Sequence, residues 1–506
     1  MTLKKTFICA ALLPRADDPH DYWLIDMENK KTIANWQTCI EQAKYLLCLD
    51  SKAFLNKHPE FLKKSHFICL STMKKLISKD HTATLKVPQW ENVFDAVAWL
   101  SQVYEKALLE IKRRDIAPLL KLECELIPVL VQMEKIGFPF IKEKWLEALE
   151  KIANEQAKIK QKLAPYFQQE GFLLFGSETI DLHQTNRVKE RLEKIIGKKL
   201  SSTSASVLKD IDHEAAHLLM RYREHEKMLS TYGEHFLPKI INNRIHASFV
   251  AIASSSGRST CLNPNLQALP NDTTFQACVE SPQPYELKYF DYSGFELRIL
   301  AALSKDPKLS HIFNEDRDIH SVVAQNIFKC EVSEKKNPHL RSKAKILNFG
   351  IIYGMGEATL ARQLKTSQHE AQQLMENYFK NFSQVKNFLD SLETQAKNNG
   401  FVQTALGRRS YFDHDIRKNL GHMLRLARNI PIQGTGAEIF KLALIKVSKS
   451  FDKNSLNARI VNMVHDEIVV ECHKDCVEQA KKIIIQQMHQ AFNAILPNLK
   501  AAIGMD

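Results

Sequence analysis

Two short apolar stretches, far apart in the chain, each run into a carboxylate. Glu286-Leu287-Lys288-Tyr289-Phe290 leads to Asp291, and Arg459-Ile460-Val461-Asn462-Met463-Val464 leads to His465-Asp466-Glu467, followed by Ile468-Val469-Val470-Glu471. Both stretches have the length and the β-branched or aromatic content of strands. The second is a hairpin candidate with acids at its tip. A carboxylate at each of two strand ends is what a metal site on a sheet requires, so the fold has to bring Asp291 and Asp466 together.

Composition narrows the rest. The chain has 506 residues, 44% hydrophobic and 25% charged, a globular balance that excludes disorder as the main state. Its 16 glycines are few for that length, which argues against an all-β or fibrous architecture and for a helix-rich one. An excess of 70 Lys+Arg over 58 Asp+Glu gives a charge of +12 and points to a polyanionic partner. The 10 cysteines are scattered, as thiols kept reduced inside a cell would be, and Cys472 and Cys476 around His473 lack a second ligand pair for zinc. No apolar run approaches the roughly 20 residues that span a bilayer. Thr6 to Leu13 reads as a first strand rather than a secretory signal. An intracellular, cytoplasmic protein without membrane association is expected.

Residues 1 to about 115 read as a small α/β domain, with strand-like runs at Tyr22-Trp23-Leu24-Ile25 and Tyr45-Leu46-Leu47-Cys48-Leu49. From about 116 the texture turns helical. Leu119, Leu122, Leu126, Val129, Leu130 and Met133 recur at three and four, the spacing of one helix face. Asn186 to Lys194 and Ala215 to Tyr232 are helix-like, and 336 to 390 is nearly all helical, with breaks expected at Gly350, Gly354 and Gly356. Within it Arg341, Lys345, Phe349 and Tyr353 are spaced by four. At about 100° per residue they fall at roughly 0, 40, 80 and 120°, one drifting helix face. Its cationic end suits a triphosphate and its aromatic end a stacked base.

These segments resemble a known family. Asp291-Tyr292-Ser293-Gly294-Phe295-Glu296-Leu297-Arg298 resembles motif A of family A DNA polymerases, the polymerase I type. The run from Arg341 through Lys345, Asn348-Phe349-Gly350 and Tyr353-Gly354 resembles motif B, and Val464-His465-Asp466-Glu467 resembles motif C. Further matches run from about 120 to the end: Ser256-Gly257-Arg258, Asn263 to Gln267, Asp318-Ile319-His320, Arg425 and Pro431 to Thr435, with Tyr222-Arg223-Glu224 in a thumb-like stretch.

The resemblance implies a helix-rich α+β fold. A right-hand polymerase over 116–506 would comprise a thumb at about 136–243, a palm at about 244–300 and 454–506, and fingers at about 301–453. It would be preceded, over 1–115, by a small α/β exonuclease-like domain. It further implies a template-directed DNA polymerase that uses two Mg²⁺ ions, with Mn²⁺ as a substitute. Asp291, Asp466 and the backbone carbonyl of Tyr292 would be metal ligands, and Glu467 would sit beside them. His320, Arg341 and Lys345 would grip the triphosphate, Phe349 and Tyr353 would meet the base, and Glu296 would fill the space of a 2′-hydroxyl. Arg258, Asn265, Gln267, Arg425, Gln433 and His465 would contact primer–template DNA. The expected partners are that DNA, dNTPs and a processivity or replication factor, for a chain acting as a monomer. The alternative is a catalytically silent DNA-binding protein on the same fold, opposed by intact Asp291, Asp466, Lys345 and Arg341.

The N-terminal segment departs from a proofreading nuclease. Asp26-Met27-Glu28 can supply a paired acid, but Phe54 stands where a second acid is needed, in Asp50-Ser51-Lys52-Ala53-Phe54. No Tyr-x-x-x-Asp follows near Tyr104. An inactive domain, retained for packing or DNA contact, is expected. Gly294, Gly436 and Glu438 also depart from common family patterns without removing a metal ligand.

Overall fold

Short extended runs near the start of the chain pair into one mixed sheet. The structure is a computed structural model that describes residues 8–14, 22–23, 25–26, 31–32, 45–63, 67–88, 93–168, 181–270, 272–412, 415 and 418–505. Strands β1 (Ile8–Pro14), β2 (Tyr22–Trp23), β3 (Ile25–Asp26), β4 (Lys31–Thr32), β5 (Tyr45–Cys48) and β6 (Phe67–Cys69) form it, in the order β4-β3-β1-β5-β6 with β2 beside β1. β1, β5 and β6 run parallel, while β3 and β4 are antiparallel. Met27 and Glu28 lie outside the described residues, as do Thr6 and Phe7 of the expected first strand.

The helix Ala117–Ile136 carries the 3.6-residue periodicity read from the sequence and buries it. Leu119, Leu126, Leu130 and Met133 are all inaccessible. Cys124, Ile127 and Val131 of the same helix close a core with Leu46, Phe54, Phe61 and Phe67. Burying each such side chain contributes roughly 1.5–3 kcal/mol. The segment in which a second nuclease acid would fall, Asp50 to Phe54, has structural roles instead. Asp50 caps the helix Ser51–Lys57 by accepting from the backbone of Lys52 and Ala53. Lys52 reaches Glu134 at 2.6 Å and the Phe249 carbonyl at 2.6 Å.

The chain divides into two compact units. The second comprises residues 137–246 and 268–282. It holds β7 (Phe138–Pro139), β8 (Ile240–Ile241) and β9 (Arg244–Ile245), together with the helices Lys142–Phe167, Thr185–Ile196 and Glu214–Tyr232. Ile159, Leu163, Val188, Leu192 and Leu219 form its core, and Phe140, Trp145, Phe236 and Phe275 pack ring against ring.

The rest of the first unit is built on β10 (Ser248–Val250), β11 (Thr260–Leu262), β12 (Tyr285–Tyr292), β13 (Phe401–Gln403), β14 (Arg409–Tyr411), β15 (Ala458–Val464), β16 (Glu467–His473) and β17 (Ile503–Met505). The central sheet is antiparallel, in the order β15-β16-β12-β17. The helices Leu420–Lys453 and Val477–Ile495 pack on one another and on this sheet. The expected hairpin at 459–471 is observed. The expected break at Gly350 is not, because the helix Pro338–Ile352 runs through it. Gly350 is buried beside Met355, and the chain turns at Gly354, whose φ of +62° is left-handed and suits glycine.

Under this framework lies a buried ionic cluster. Glu123 is fully inaccessible; it pairs with Arg408 and accepts from Lys441 Nζ at 2.6 Å. Glu438 accepts from Thr404 Oγ1 at 2.5 Å and lies 3.7 Å from Arg408. Burial pushes the Glu438 carboxyl up to about 7 and the Lys441 ammonium down to about 8, as loss of water disfavours either charge. Removing the shared anion leaves Lys441 buried without its contact partner. Glu123→Ala is expected to cost about 3–5 kcal/mol, read as a lower urea midpoint; an unchanged midpoint would contradict this role.

Candidate active site

The register of the central sheet decides where the acids fall. Asp291, one residue from the end of β12, stands directly opposite Glu467, the first residue of β16. Val464 pairs with Glu467, so His465 and Asp466 are the whole turn between β15 and β16. A two-residue hairpin needs positive φ, which His465 adopts at +54°. A non-glycine residue in that conformation costs roughly 1–2 kcal/mol. A register shift between Ile460 and Asn462 further re-aims β15 just before the tip. Cross-strand partners in such a ladder lie about 4.5–5.5 Å apart at Cα, so Asp466 is brought beside Asp291.

Both carboxylates line one cavity of about 490 Å³. Burial, with the charges of Asp291 and Glu296, pushes the Asp466 carboxyl above the usual carboxylate range. Such a pair is stabilised by a bound cation. The donors are hard oxygens, which suit Mg²⁺ or Mn²⁺. Among the described residues no group of three or more His, Cys, Asp or Glu could hold a metal alone. The arrangement fits ions completed by substrate oxygens rather than a closed protein cage. Tyr292 is buried, its hydroxyl donating to the Met488 carbonyl at 2.8 Å and its ring stacked on Phe295 at 4.5 Å. Its side chain is spent in the core, and only its main chain is available to an ion.

Glu296 ties two further cavity residues together. It accepts from Arg258 Nη2 at 2.8 Å and from the Tyr353 hydroxyl at 2.9 Å. Burial and the Glu296 charge push the Tyr353 phenol up to about 12. Phe349 on the helix and Tyr353, one residue past its end rather than on the expected helix face, stack at 6.4 Å. Gln267, Gln433 and His465 also line the cavity, and Gln267 Nε2 donates to the Met463 carbonyl at 3.3 Å.

The cationic end of that helix face, with His320, lies outside the lining, as do Glu467, Asn265 and Arg425. Lys345 is exposed. Arg341 is paired with Asp318 at 2.7 Å and Glu334 at 3.1 Å, so an anionic ligand would have to displace carboxylates there. His320, on the helix Ile319–Phe328, meets Asn348 at 2.9 Å and the Phe349 ring at 5.9 Å. Asn265 Oδ1 accepts from the Gln267 backbone N–H at 3.0 Å, and Arg425 lies under Gly354.

Two positioning devices were missed in the sequence. Buried Arg298 donates to the carbonyls of Ser293 at 3.1 Å and Lys500 at 2.8 Å, fastening the turn after Asp291 to the C-terminal segment. Gly504 of β17 pairs with Asp291, and a Cβ built on it would run into Asp291 Oδ1. A glycine within a terminal strand-like run is the one available signal of such close approach.

The DNA polymerase family A model matches residues 142–505, and the chain belongs to that family. It is 34% identical over 395 residues to DNA polymerase I of Caldicellulosiruptor bescii, covering 74% of this chain and 45% of that protein. Against DNA polymerase I of Pseudomonas aeruginosa it is 36% identical over 318 residues, covering 60% of this chain and 34% of that one. The chain thus spans less than half the length of these relatives. The POL domain of Pol1 from M. smegmatis, solved with DNA primer–template and dNTP, superposes with a TM-score of 0.80 at 22% identity, covering 99% of this chain and 95% of that one. The fold is that of a right-hand polymerase.

Gly504→Ala is expected to displace the Asp291 carboxylate and weaken Mn²⁺ binding roughly 10- to 100-fold, with the unfolding midpoint retained. Unchanged Mn²⁺ affinity would show that the close approach is dispensable.

Proposed function

We propose that the chain is a template-directed DNA polymerase, adding dNTPs to a primer 3′-end by two-metal phosphoryl transfer in DNA replication or repair. The observation that carries this reading is the convergence of Asp291 and Asp466 on one cavity through the β12–β16 ladder. Family membership and relatives named DNA polymerase I support it, as does the primer–template and dNTP bound by the M. smegmatis domain.

In this reading Asp291 and Asp466, with the Tyr292 carbonyl, hold two Mg²⁺ or Mn²⁺ ions. Bound there, the ions would ease ionisation of the 3′-hydroxyl and offset charge on the phosphates. Arg341, Lys345 and His320 grip the triphosphate, and Lys345 assists pyrophosphate departure. Phe349 packs on the incoming nucleotide and Tyr353 occupies the template-stacking position between cycles. Glu296, braced by Arg258 and Tyr353, fills the space of a 2′-hydroxyl and so selects deoxyribonucleotides. Arg258, Asn265, Gln267, Arg425, Gln433 and His465 contact primer and template, with Glu467 beside the metals.

The palm would comprise about 244–300 and 454–506, the fingers about 301–453 and the thumb about 136–243. The segment 1–115 would be an inactive exonuclease-like domain kept for packing or DNA contact; the cap made by Asp50, the buried Phe54 and the reach of Lys52 to Phe249 support the packing role. Phosphate contacts of the basic chain would make DNA binding weaken steeply with salt. A processivity or replication factor, and action as a monomer, belong to the same proposal.

The test is extension of a labelled primer with dNTPs or rNTPs, followed by incubation of a mismatched end without nucleotides. Extension with dNTPs alone and no degradation are expected. Asp466→Ala should abolish extension while primer–template affinity stays within about twofold, since phosphate contacts dominate that affinity. Extension that survives Asp466→Ala would overturn the reading.

A further inference from the structure

Asn348 is fully buried on the helix Pro338–Ile352, between Lys345 and Phe349, and does not line the cavity. Its Nδ2 lies 2.9 Å from His320 Nδ1 on the neighbouring helix, while its Oδ1 meets no donor among the described residues. An amide can face a ring nitrogen in two ways. With the oxygen toward the ring, an NH₂ group carrying two hydrogens would be buried without acceptors. With the nitrogen toward the ring, one of its hydrogens is accepted, and one N–H and the carbonyl oxygen go unmatched instead of two N–H groups. Buried N–H groups are the rarer and costlier orphans, so Asn348 donates and His320 Nδ1 accepts. A neutral imidazole that accepts at Nδ1 carries its hydrogen on Nε2.

The charged groups around the ring agree with a neutral imidazole. Burial holds the His320 pKa down to about 4; Arg341 and Lys345 press the same way, and Asp318 opposes them. At neutral pH the choice of tautomer, rather than charge, decides what Nε2 offers.

We propose that Asn348 is a positioning residue: by donating to His320 Nδ1 it fixes the Nε2–H tautomer, so that His320 presents a neutral donor to the triphosphate. This rests on the reading of His320 as a triphosphate contact. It gives the phosphates a directed hydrogen bond beside Arg341 and Lys345 without a third positive charge. The lone Oδ1 is the cost of holding that orientation.

Asn348→Asp tests it, because the substitution keeps the shape and reverses the hydrogen bond. At low pH the Asp–His pair shares an extra proton, and on whichever atom that proton sits, Nε2 keeps its hydrogen. As pH rises the proton leaves, the carboxylate accepts from Nδ1–H, and a lone pair at Nε2 faces the phosphates. The KM for dNTP of this variant should therefore climb about tenfold or more between about pH 6 and pH 9. The wild-type value should follow a profile without this step, and kcat should change less than KM. In a His320→Ala background the same substitution should lose its pH-dependent effect.

A rise in KM that is independent of pH, or that persists without His320, would assign Asn348 a purely structural role and overturn the proposal. Should Asn348→Asp fail to fold, nitrogen-15 histidine spectra of the wild-type protein read the tautomer directly, with His320→Ala identifying the signal. An Nε2–H pattern is expected, and an Nδ1–H pattern would overturn the proposal. If wild type extends primers but His320→Ala leaves KM for dNTP unchanged, the triphosphate role of His320 falls, and this inference with it. If wild type does not extend primers, the polymerase reading fails, whereas the spectra still decide the tautomer.

Discussion

Pairing of β12 with β16 is the constraint on which the site depends. Because residues alternate between the faces of a strand, a slip of one position would turn Asp291 into the core and Phe290 toward the cavity. The ladder from Tyr285–His473 to Asp291–Glu467 fixes that register over all of β12 but its last residue. The two-residue turn then leaves Asp466 no slack. The left-handed His465 and the shift in β15 are local costs, carried by a hairpin whose strand interiors, Ile460 to Met463 and Ile468 to Cys472, are buried.

The surroundings hold this tip still from three directions. Arg298 and Gly504 act on Asp291 from the C-terminal segment. The Glu123 cluster joins the helix Ala117–Ile136 to Leu420–Lys453 and to the β13–β14 hairpin. Its Arg408 packs against Gly257, whose φ of +80° and lack of a side chain let the loop before Arg258 approach. A buried ionic group of this kind contributes less to net stability than to a defined geometry, because desolvation offsets much of the attraction. Glu296 then links Arg258 to Tyr353 across the cavity. The expected specificity residue is therefore also a tie between the loop and the helix that carries Phe349.

The sequence made the paired acids, the hairpin and the aromatic helix face legible because each depends on local periodicity or on a chemistry that few residue types can perform. Asp291 falls inside its strand rather than past its end, and Gly350 lies within its helix rather than breaking it. Both deviations reflect tertiary packing overriding local propensity. What stayed hidden depends on distant partners. Arg408 and Lys441 meet Glu123 across 285 and 318 positions, and no window of sequence reports that. The Asn348–His320 bond lies within a recognised motif, yet asparagine there has no pattern that distinguishes a core residue from a positioning one.

Manganese stoichiometry is the most direct measurement of the central claim. Electron paramagnetic resonance can count the ions held by the protein with primer–template and a non-hydrolysable dNTP. Two Mn²⁺ ions are expected for wild type, with fewer for Asp291→Asn and for Asp466→Asn alike. Two ions retained in both variants would contradict the account, because the carboxylates joined by the β12–β16 ladder would then not be what holds them.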